Sequence, residues 1–354
     1  MFNADVHTIP ETASIKSAVK KMDRGGIGIV LCIDDAKNVR GLITDGDFRR
    51  AVLNSVSLDV PVSTIMNRNF ISLPEGYNPD EAAALFKTTP AHYIPVVRGS
   101  KIIDLISEEN LVRAPKTGRK KRRGIFPANV VIMAGGFGTR LSPLTYILTK
   151  PLIPIGQKPI IEIIIDKFVD VGAREFYLSV NYKSRLIKSY FEELDPSYKV
   201  NYIYEDKPLG TAGSLKNFKD RTKTILVSNC DIIVNIDYRN LIEFHKKHSN
   251  DITIVASLKH FVIPYGVCEI GQGGELTQMN EKPEFSFFVN TGMYVLNPKI
   301  LRLIPKNRQF HMTDLIETVK SKNARVVIYP INENAWIDIG EWSEYKKAIG
   351  ELSI

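Results

Sequence analysis

The residues best suited to chemistry follow a short apolar segment near the middle of the chain. Residues 130–133 predict a buried β-strand, and the segment directly after it, residues 135–138, is rich in glycine. Glycines at the end of a strand allow backbone N–H groups to surround an anion, because no Cβ stands in the way. Arg140 and Lys150 add two cations to this loop. The pattern favours a triphosphate site, although a glycine-rich turn alone is equally compatible with a plain structural role.

Two acidic residues further along the chain are candidate metal ligands. Asp231 follows the apolar segment 225–228, and Asp338 follows Trp336 and Ile337. A single aspartate after a strand commonly caps a helix or forms a turn. Mg²⁺ prefers oxygen ligands and usually takes only one or two carboxylates from a protein. Two such acids, in a chain that also has a glycine-rich loop and two cations, predict a Mg²⁺ site.

The elements that must position these residues alternate between strand and helix from Ile125 onward. This alternation predicts an α/β fold, a doubly wound and mostly parallel sheet with helices on both faces. Ligands bind such sheets at the carboxyl ends of the strands, where the glycine-rich loop and Asp231 fall. The turn that begins near Leu209 is expected to open a helix through about Phe218. Residues 265–296 predict an antiparallel insertion that covers the site.

The bulk composition is that of a globular protein with two or three domains. The chain has 354 residues, 44% hydrophobic and 24% charged, with a net charge of +8. Seven basic residues lie within residues 113–124, which contain no acid, so most of this charge is local. Like charges resist packing, so residues 115–124 are expected to be an interdomain linker, with binding to nucleic acid or an anionic surface as the alternative. Because no aromatic residue interrupts the basic segment, we expect no nucleic-acid partner.

The cysteines and the apolar segments bear on the cellular location. Cys32, Cys230 and Cys268 lie far apart and form neither a disulfide framework nor a zinc-binding spacing. The first residues lack a charged-then-apolar signal region, and no apolar segment approaches membrane-spanning length. We therefore expect a cytoplasmic protein with no membrane association.

The first third of the chain is an internal repeat. The sequence TIPE at residues 8–11 recurs as SLPE at residues 72–75, and each copy continues into a helix-like segment and an apolar strand. The copies close with the similar segments 41–50 and 104–113. Equal length, order and closing pattern predict two modules of the same fold.

This repeat resembles a tandem pair of CBS modules, each a β-α-β-β-α unit that packs against its twin. The resemblance covers about residues 1–57 and 58–114, and its most specific element is the closing motif Thr44-x-x-Asp47. In that family the hydroxyl meets a nucleotide phosphate and the aspartate accepts ribose hydroxyls, which implies a regulatory nucleotide. The second copy has Asn110 in place of the aspartate. A pair that serves only for dimerisation is the alternative.

Residues 125–354 resemble the sugar-1-phosphate nucleotidyltransferases. The motifs that carry the resemblance are, in chain order, GGFGTRL at residues 135–141, Lys150-Pro151, LGTAGSL at 209–215, NCD at 229–231, EKP at 281–283, NTGMYVL at 290–296 and WIDIG at 336–340. Together and in this order they are a specific signature. The fold that the resemblance implies is Rossmann-like.

The resemblance also implies roles for individual residues. Arg140 and Lys150 are expected to be catalytic, and Asp231 and Asp338 to hold Mg²⁺. The residues expected to bind the nucleotide are Ala134, Gly135, Gly136, Gly138, Thr139, Leu209, Gly210, Thr211 and Gly213. Those expected to bind the sugar and its phosphate are Glu281, Lys282 and Asn290.

The whole-chain arrangement, a CBS pair followed by this transferase, resembles guanylyltransferases that make GDP-sugars for bacterial surface glycans, in particular the glucosamine-1-phosphate guanylyltransferases of legionaminic acid biosynthesis. It implies that GTP and glucosamine 1-phosphate give a GDP-sugar and pyrophosphate without a covalent intermediate. Mannose 1-phosphate, heptose 1-phosphate and a different nucleoside triphosphate remain alternatives, because no residue identifies the base. We also expect a homo-oligomer.

Two functions of other classes compete with this hypothesis. A dinucleotide-dependent oxidoreductase would need the pattern G-x-G-x-x-G, but Leu141 stands at the third glycine position. Arg140 and Lys150 also have no natural part in such a site. A non-catalytic nucleotide sensor would use the CBS pair as its working part. The joint presence of both cations, Asp231 and Asp338 disfavours the sensor.

Overall fold

The computed structural model of the protein describes residues 3–89, 91–107 and 124–352, without the side chains of residues 347, 348 and 350–352. The chain forms two compact units, Met1–Lys120 and Lys121–Ile354. Within the described ranges, no helix is long and apolar enough to cross a membrane.

The first copy of the repeat forms a β-α-β-β-α unit after a short helix. Its elements are α1 Ala4–His7, β1 Thr8–Pro10, α2 Ile15–Gly25, β2 Ile29–Ile33, β3 Val39–Thr44 and α3 Asp45–Leu53. Strand β2 lies between β1, to which it is parallel, and β3, to which it is antiparallel. In α2 the buried residues Ile15, Ala18, Val19 and Met22 recur at helical spacing, so one face of the helix packs on this sheet.

The second copy repeats this order as far as the structure describes it. Its elements are β4 Leu73–Pro74, α4 Pro79–Thr88, β5 Tyr93–Arg98 and β6 Lys101–Ser107. Leu31 and Leu42 of the first copy share a buried cluster with Leu105 of the second, so the two copies pack against each other. The predicted closing segment with Asn110, and the predicted linker apart from Gly124, lie outside the described residues.

The second unit alternates strands and helices, as the sequence pattern predicts. Its elements are β7 Ala128–Met133, α5 Leu144–Ile147, β8 Pro154–Ile155, β9 Lys158–Pro159, α6 Ile160–Asp170, β10 Glu175–Val180, α7 Ser184–Leu194, β11 Lys199–Tyr204, α8 Gly210–Gly213, β12 Thr224–Asn229, β13 Ile232–Val234, α9 Tyr238–Lys247, β14 Ile252–Val262, β15 Val267–Ile270, β16 Leu276–Asn280, β17 Glu284–Leu296, α10 Met312–Lys320, β18 Val326–Ile331, β19 Trp336–Asp338 and α11 Trp342–Leu352.

The core of this unit is a seven-stranded sheet within the described residues, in the order β11-β10-β7-β12-β17-β14-β18. All neighbouring strands are parallel except that β17 is antiparallel to both β12 and β14. Helices cover both faces, and a separate hydrophobic cluster lies on each side of the sheet. Strand β7 is buried on both faces, which explains its continuous apolar sequence.

One local prediction is confirmed in its extent, and another needs correction. The segment after Leu209 is helical as far as Asn217, but only Gly210–Gly213, α8, is α-helix, and Ser214–Asn217 is a 3-10 turn. Glycine is a poor helix former, and two of the four residues of α8 are glycine. The predicted antiparallel insertion is confined to the β15–β16 hairpin, because β17 continues into the middle of the central sheet.

Candidate active site

The glycine-rich loop leaves the carboxyl end of β7 beside the end of β12. Met133 lies opposite Asn229 in the parallel register, so the loop after β7 and the turn that contains Asp231 begin side by side. Gly138 has a φ of 67°, a conformation that favours glycine. A Cβ at Gly138 would lie 2.9 Å from Cβ of Lys150, so the loop packs directly on the stem of that lysine.

A small cavity remains between the loop and the two cations. Its volume is about 160 Å³, and it is lined by Gly138, Thr139, Arg140 and Lys150. The structure therefore brings together residues that the sequence analysis assigned to an anion site. Ala134 differs from them, because it is buried and its N–H donates to the Ser179 carbonyl at 2.8 Å. Its backbone donor anchors the start of the loop to β10.

The two cations of the site lie in different environments. The ammonium of Lys150 binds Oδ2 of Asp231, and the two side chains are only 14% and 19% exposed. Arg140 is 75% exposed, and its Nη1 lies 3.7 Å from Oε1 of Glu341, which is 60% exposed. A buried ion pair is costly to break, whereas an exposed pair contributes little. Lys150 is therefore firmly placed, and Arg140 is free to move toward a ligand.

A short two-stranded sheet brings the two predicted metal ligands together. Strand β13 pairs with β19 so that Ile232 lies opposite Asp338, and the N–H of Ile339 donates to the Asp231 carbonyl at 2.8 Å. An added Cβ at Gly340 would lie 2.9 Å from Oδ1 of Asp338 and 3.2 Å from Oδ2 of Asp231. Burial, and then the nearby Asp231 charge, raise the pKa of Asp338 above its usual range, although its hydrogen bond from Gly340 N opposes this.

These carboxylates fit a hard divalent cation. Asp231 and Asp338 offer oxygen ligands at one place, and Mg²⁺ usually takes one or two protein carboxylates and completes its shell with water and substrate phosphates. Within the described residues, no group of three or more His, Cys, Asp and Glu side chains forms a metal cage. The donor set therefore suits an ion that a substrate helps to hold.

The turn of residues 209–213 is built by a segment almost a hundred positions away. The N–H groups of Ala212 and Gly213 donate to the Phe310 carbonyl at 3.1 and 3.0 Å, and Phe310 N donates back to Leu209 O at 2.8 Å. The Thr211 hydroxyl accepts from Met312 N at 2.8 Å.

These backbone contacts give a structural reason for the two glycines of the turn. A Cβ at Gly210, where φ is +80°, would lie 2.8 Å from the Phe310 carbonyl oxygen, and one at Gly213 would lie 3.3 Å from the Arg308 carbonyl oxygen. The sequence resemblance predicts that these glycines bind a nucleotide. Here they permit close approach of the protein's own backbone.

Glu205 is a residue of this region that the sequence analysis missed. Its Oε2 accepts from Leu209 N at 3.0 Å, and its Oε1 accepts from the Ser179 hydroxyl. A Cβ at Gly135 would lie 3.1 Å from the same Oε1, so Glu205 lies between the glycine-rich loop and the 209–213 turn. Glu205 directly follows β11, just as Asp231 follows β12 closely. The rule that identified Asp231 would have identified it too.

The three residues predicted to bind the sugar and its phosphate are exposed. Glu281 and Lys282 lie in an exposed turn between β16 and β17, and among the described residues neither is paired with Lys150, Asp231 or Asp338. Asn290 precedes a bulge in β17: its Oδ1 accepts from Gly292 N at 3.0 Å and its Nδ2 donates to the Tyr294 hydroxyl at 2.7 Å.

That bulge reaches the end of β12. A Cβ at Gly292 would lie 2.5 Å from Nδ2 of Asn229, which is two residues before Asp231. The Asn290 side chain therefore stabilises a bulge that lies against the acidic turn.

In the first unit, Thr44 and Asp47 form a capping box at the start of α3. Oδ2 of Asp47 accepts from the backbone N of Thr44 at 2.9 Å and from its hydroxyl at 2.6 Å, while Oδ1 binds Arg50. Asp47 is buried. Both oxygens of Asp47 therefore already accept from the protein, and the expected contact of Thr44 and Asp47 with a nucleotide stays a prediction.

Known families match both units. The nucleotidyl transferase family model matches residues 129–353, well over half of the chain. The chain belongs to the nucleotidyl transferase family. The CBS domain model matches residues 2–54 and 62–117, which confirms the tandem CBS pair. The glycine-rich loop, Lys150, Asp231 and Asp338 all lie in the part matched as nucleotidyl transferase.

Curated relatives match about three fifths of the chain. A mannose-1-phosphate guanyltransferase of Yarrowia lipolytica is 35% identical over 227 residues, which are 61% of this chain and 61% of the relative. A mannose-1-phosphate guanyltransferase of Saccharomyces cerevisiae is 33% identical over 227 residues, 61% of this chain and 62% of the relative. The chain thus spans about three fifths of the length of the relatives it matches.

A solved structure supports the same fold for this transferase. HddC from Yersinia pseudotuberculosis is 27% identical, with a TM-score of 0.51. The match covers 64% of this chain and 99% of HddC.

Proposed function

We propose that the protein is a sugar-1-phosphate guanylyltransferase, which converts GTP and a sugar 1-phosphate into a GDP-sugar and pyrophosphate. The observation that carries this proposal is the convergence of the glycine-rich loop, Lys150, Asp231 and Asp338 at the carboxyl ends of β7 and β12. A triphosphate clamp and a pair of carboxylates are the parts that a nucleotidyl transfer requires.

In the proposed reaction an oxygen of the sugar phosphate attacks the α-phosphorus of GTP. A new P–O bond forms while the bond from the α-phosphorus to the bridging oxygen of the β-phosphate breaks, and pyrophosphate leaves with that electron pair. No covalent enzyme intermediate is needed, so positioning and charge neutralisation supply the catalysis. Arg140 and the backbone N–H groups of the loop bind the β- and γ-phosphates, and the exposed Arg140 gives up Glu341 to do so.

Lys150 and the two acids act at the α-phosphate, whereas Arg140 and the loop bind the β- and γ-phosphates. Asp231 and Asp338 would hold Mg²⁺, which neutralises phosphate charge when it is bound. Lys150 now neutralises Asp231, and the arrival of the triphosphate gives its ammonium a second anionic partner. The lysine then stabilises the charge that builds up on the α-phosphate during transfer.

The choice of base and sugar rests on relatives. The names of the Yarrowia and Saccharomyces relatives favour guanine as the base and mannose 1-phosphate as the acceptor. The CBS pair before the transferase favours the glucosamine 1-phosphate acceptor, because that arrangement resembles the guanylyltransferases of legionaminic acid biosynthesis.

The test is a pyrophosphate-release assay on the full-length protein with Mg²⁺. Each of GTP, ATP, UTP, CTP and dTTP is paired with mannose, glucosamine and heptose 1-phosphate, and the Lys150→Ala variant is the control for contaminating activity. We expect the highest rate with GTP. A highest rate with UTP or CTP would overturn the guanylyl assignment, and no release with any pair would overturn the enzyme function.

A further inference from the structure

A second cavity of the transferase unit lies away from the proposed active site. Its volume is about 480 Å³, within the usual range for small-molecule sites. It is lined by Arg221, Lys223 and Thr224 at the start of β12, and by Asn297, Lys299 and Arg302 just after β17. These positions are at the amino end of β12, whereas the glycine-rich loop and Asp231 are at its carboxyl end.

Among the residues that the structure describes, four cations and no acid line this cavity. Lys299 and Arg302 are three positions apart on the 3-10 turn Pro298–Leu303, and residues at that spacing share one face of such a turn. Arg221 and Lys223 are two positions apart in the loop before β12. Two separate segments therefore present their basic residues to the same space.

Three of these cations form no direct ion pair among the described residues. Lys299 binds Oδ1 of the buried Asp251 at 2.8 Å, but Arg221, Lys223 and Arg302 form no ion pair there. The pKa of Asp220, which precedes Arg221, is lowered mainly by hydrogen bonds from Thr222 and to a smaller extent by the charge of Lys223. Its Oδ1 accepts from both N and Oγ1 of Thr222, at 3.0 and 2.6 Å.

We propose that this cavity binds a small anion that carries two or more phosphate groups. Like charges gathered in one concave space repel each other, and a bound anion removes that repulsion. A single phosphate carries too little charge for three unpaired cations, whereas a diphosphate matches them. Arginine forks and lysine ammonium groups are the usual partners of phosphate oxygens, and Thr224 and Asn297 add neutral polar groups at the rim.

The site is separate from the proposed active site and does not depend on the proposed function. The six residues of β12 lie between the two, roughly 20 Å at about 3.3 Å per residue. One ligand molecule of pyrophosphate size cannot reach both ends. A diphosphate in the cavity therefore increases the number of ligand molecules bound per chain by one, in addition to any ligand at the glycine-rich loop.

Calorimetric titration of the full-length protein with inorganic pyrophosphate, without divalent cations, tests the proposal. We expect the double variant Arg221→Gln/Arg302→Gln to bind one pyrophosphate fewer per chain than the wild type. The catalytic-loop variant Arg140→Gln should retain this site. If the proposed function fails, the wild type still binds one pyrophosphate, and the double variant binds none, so the two failures are distinguishable.

The matched control is Lys247→Gln/Lys322→Gln, which removes two exposed cations outside the cavity. This control should keep the wild-type stoichiometry. A melting curve of each variant verifies folding. Pyrophosphate should raise the melting temperature of the control as it does that of the wild type, and should raise that of the Arg221→Gln/Arg302→Gln variant by less. Wild-type binding by that variant, or an equal loss in the control, would overturn the proposal. So would binding of inorganic phosphate at the same site as tightly as pyrophosphate.

Discussion

The two ends of strand β12 carry opposite arrangements of charge. At its carboxyl end each cation faces a carboxylate, Lys150 with Asp231 and Arg140 with Glu341. At its amino end Arg221, Lys223 and Arg302 line one cavity without an ion pair in the described residues. Burial explains the pairing of Lys150, which is 14% exposed and needs a partner, but not that of the exposed Arg140.

This difference indicates how a phosphate ligand would bind at each end. At the carboxyl end an incoming triphosphate competes with carboxylates that already hold the cations, so binding there reorganises a charge network. At the amino end, among the described residues, only Lys299 is held by a carboxylate, so the other three cations can bind an anion without breaking an ion pair. The carboxyl end is therefore suited to a reaction, in which partners change, and the amino end to simple binding.

The Lys150–Asp231 pair gives the largest expected effect. Lys150→Ala should lower turnover by about a thousandfold, the upper range for loss of one charge-stabilising group. It also leaves Asp231 partly buried without its partner, so the melting temperature should fall. The control is Lys188→Ala, which removes only an exposed lysine 3.6 Å from Glu192. Turnover within tenfold of the wild type would contradict the proposed role of Lys150.

Asp231→Asn tests the other half of the pair. The amide keeps the shape but removes the charge that holds both Lys150 and a divalent cation, so turnover should fall by about a hundredfold. Mn²⁺ binding, followed by electron paramagnetic resonance, should weaken in the same variant. Asp166→Asn, an exposed acid that pairs with Lys158, is the control. Unchanged Mn²⁺ affinity in Asp231→Asn would show that the acids do not hold the metal.

The 209–213 turn differs from both ends of β12, because backbone contacts hold it. Thr211→Val removes the acceptor for Met312 N and leaves that N–H unpaired, which costs about 1–3 kcal/mol. Thr211 lies in the turn that is expected to bind the nucleotide, so this cost should weaken GTP binding. Because about 1.4 kcal/mol corresponds to a tenfold change in affinity, we expect the KM for GTP to rise about tenfold and kcat to change less. Thr211→Ser keeps the hydroxyl and should behave like the wild type. Equal losses in both variants would point to packing of the methyl group instead.

The exposed pair of Arg140 and Glu341 gives the smallest effect. Glu341→Gln removes the carboxylate that competes with the triphosphate for Arg140, so the KM for GTP should fall. Exposed ion pairs contribute at most about 1 kcal/mol, which limits the decrease to roughly two- to fivefold. The melting temperature should not change, which distinguishes this pair from the buried one. A rise in KM would mean that Glu341 assists binding.

Much of the fold was predictable because its signals are local. The apolar segments at residues 130–133 and 225–228 lie in the buried strands β7 and β12, as predicted. The repeat at residues 8–11 and 72–75 gave the two CBS copies. The features that the sequence did not predict are those that depend on contacts between segments far apart in the chain. The docking of Phe310 on the 209–213 turn, and the entry of β17 between β12 and β14, have no local signal.

The sequence by itself determined the residue types at the site. Glycines after a strand, two cations and two acids at strand ends are readable because strand periodicity and glycine conformational freedom act over a few residues. Tertiary structure alone decided the partners of those residues. The pairing of β13 with β19 brought Asp338 to Asp231, and the chain beside β12 left Arg221 and Arg302 facing one cavity. Such pairings depend on contacts between residues about a hundred positions apart, and sequence spacing carries no record of them.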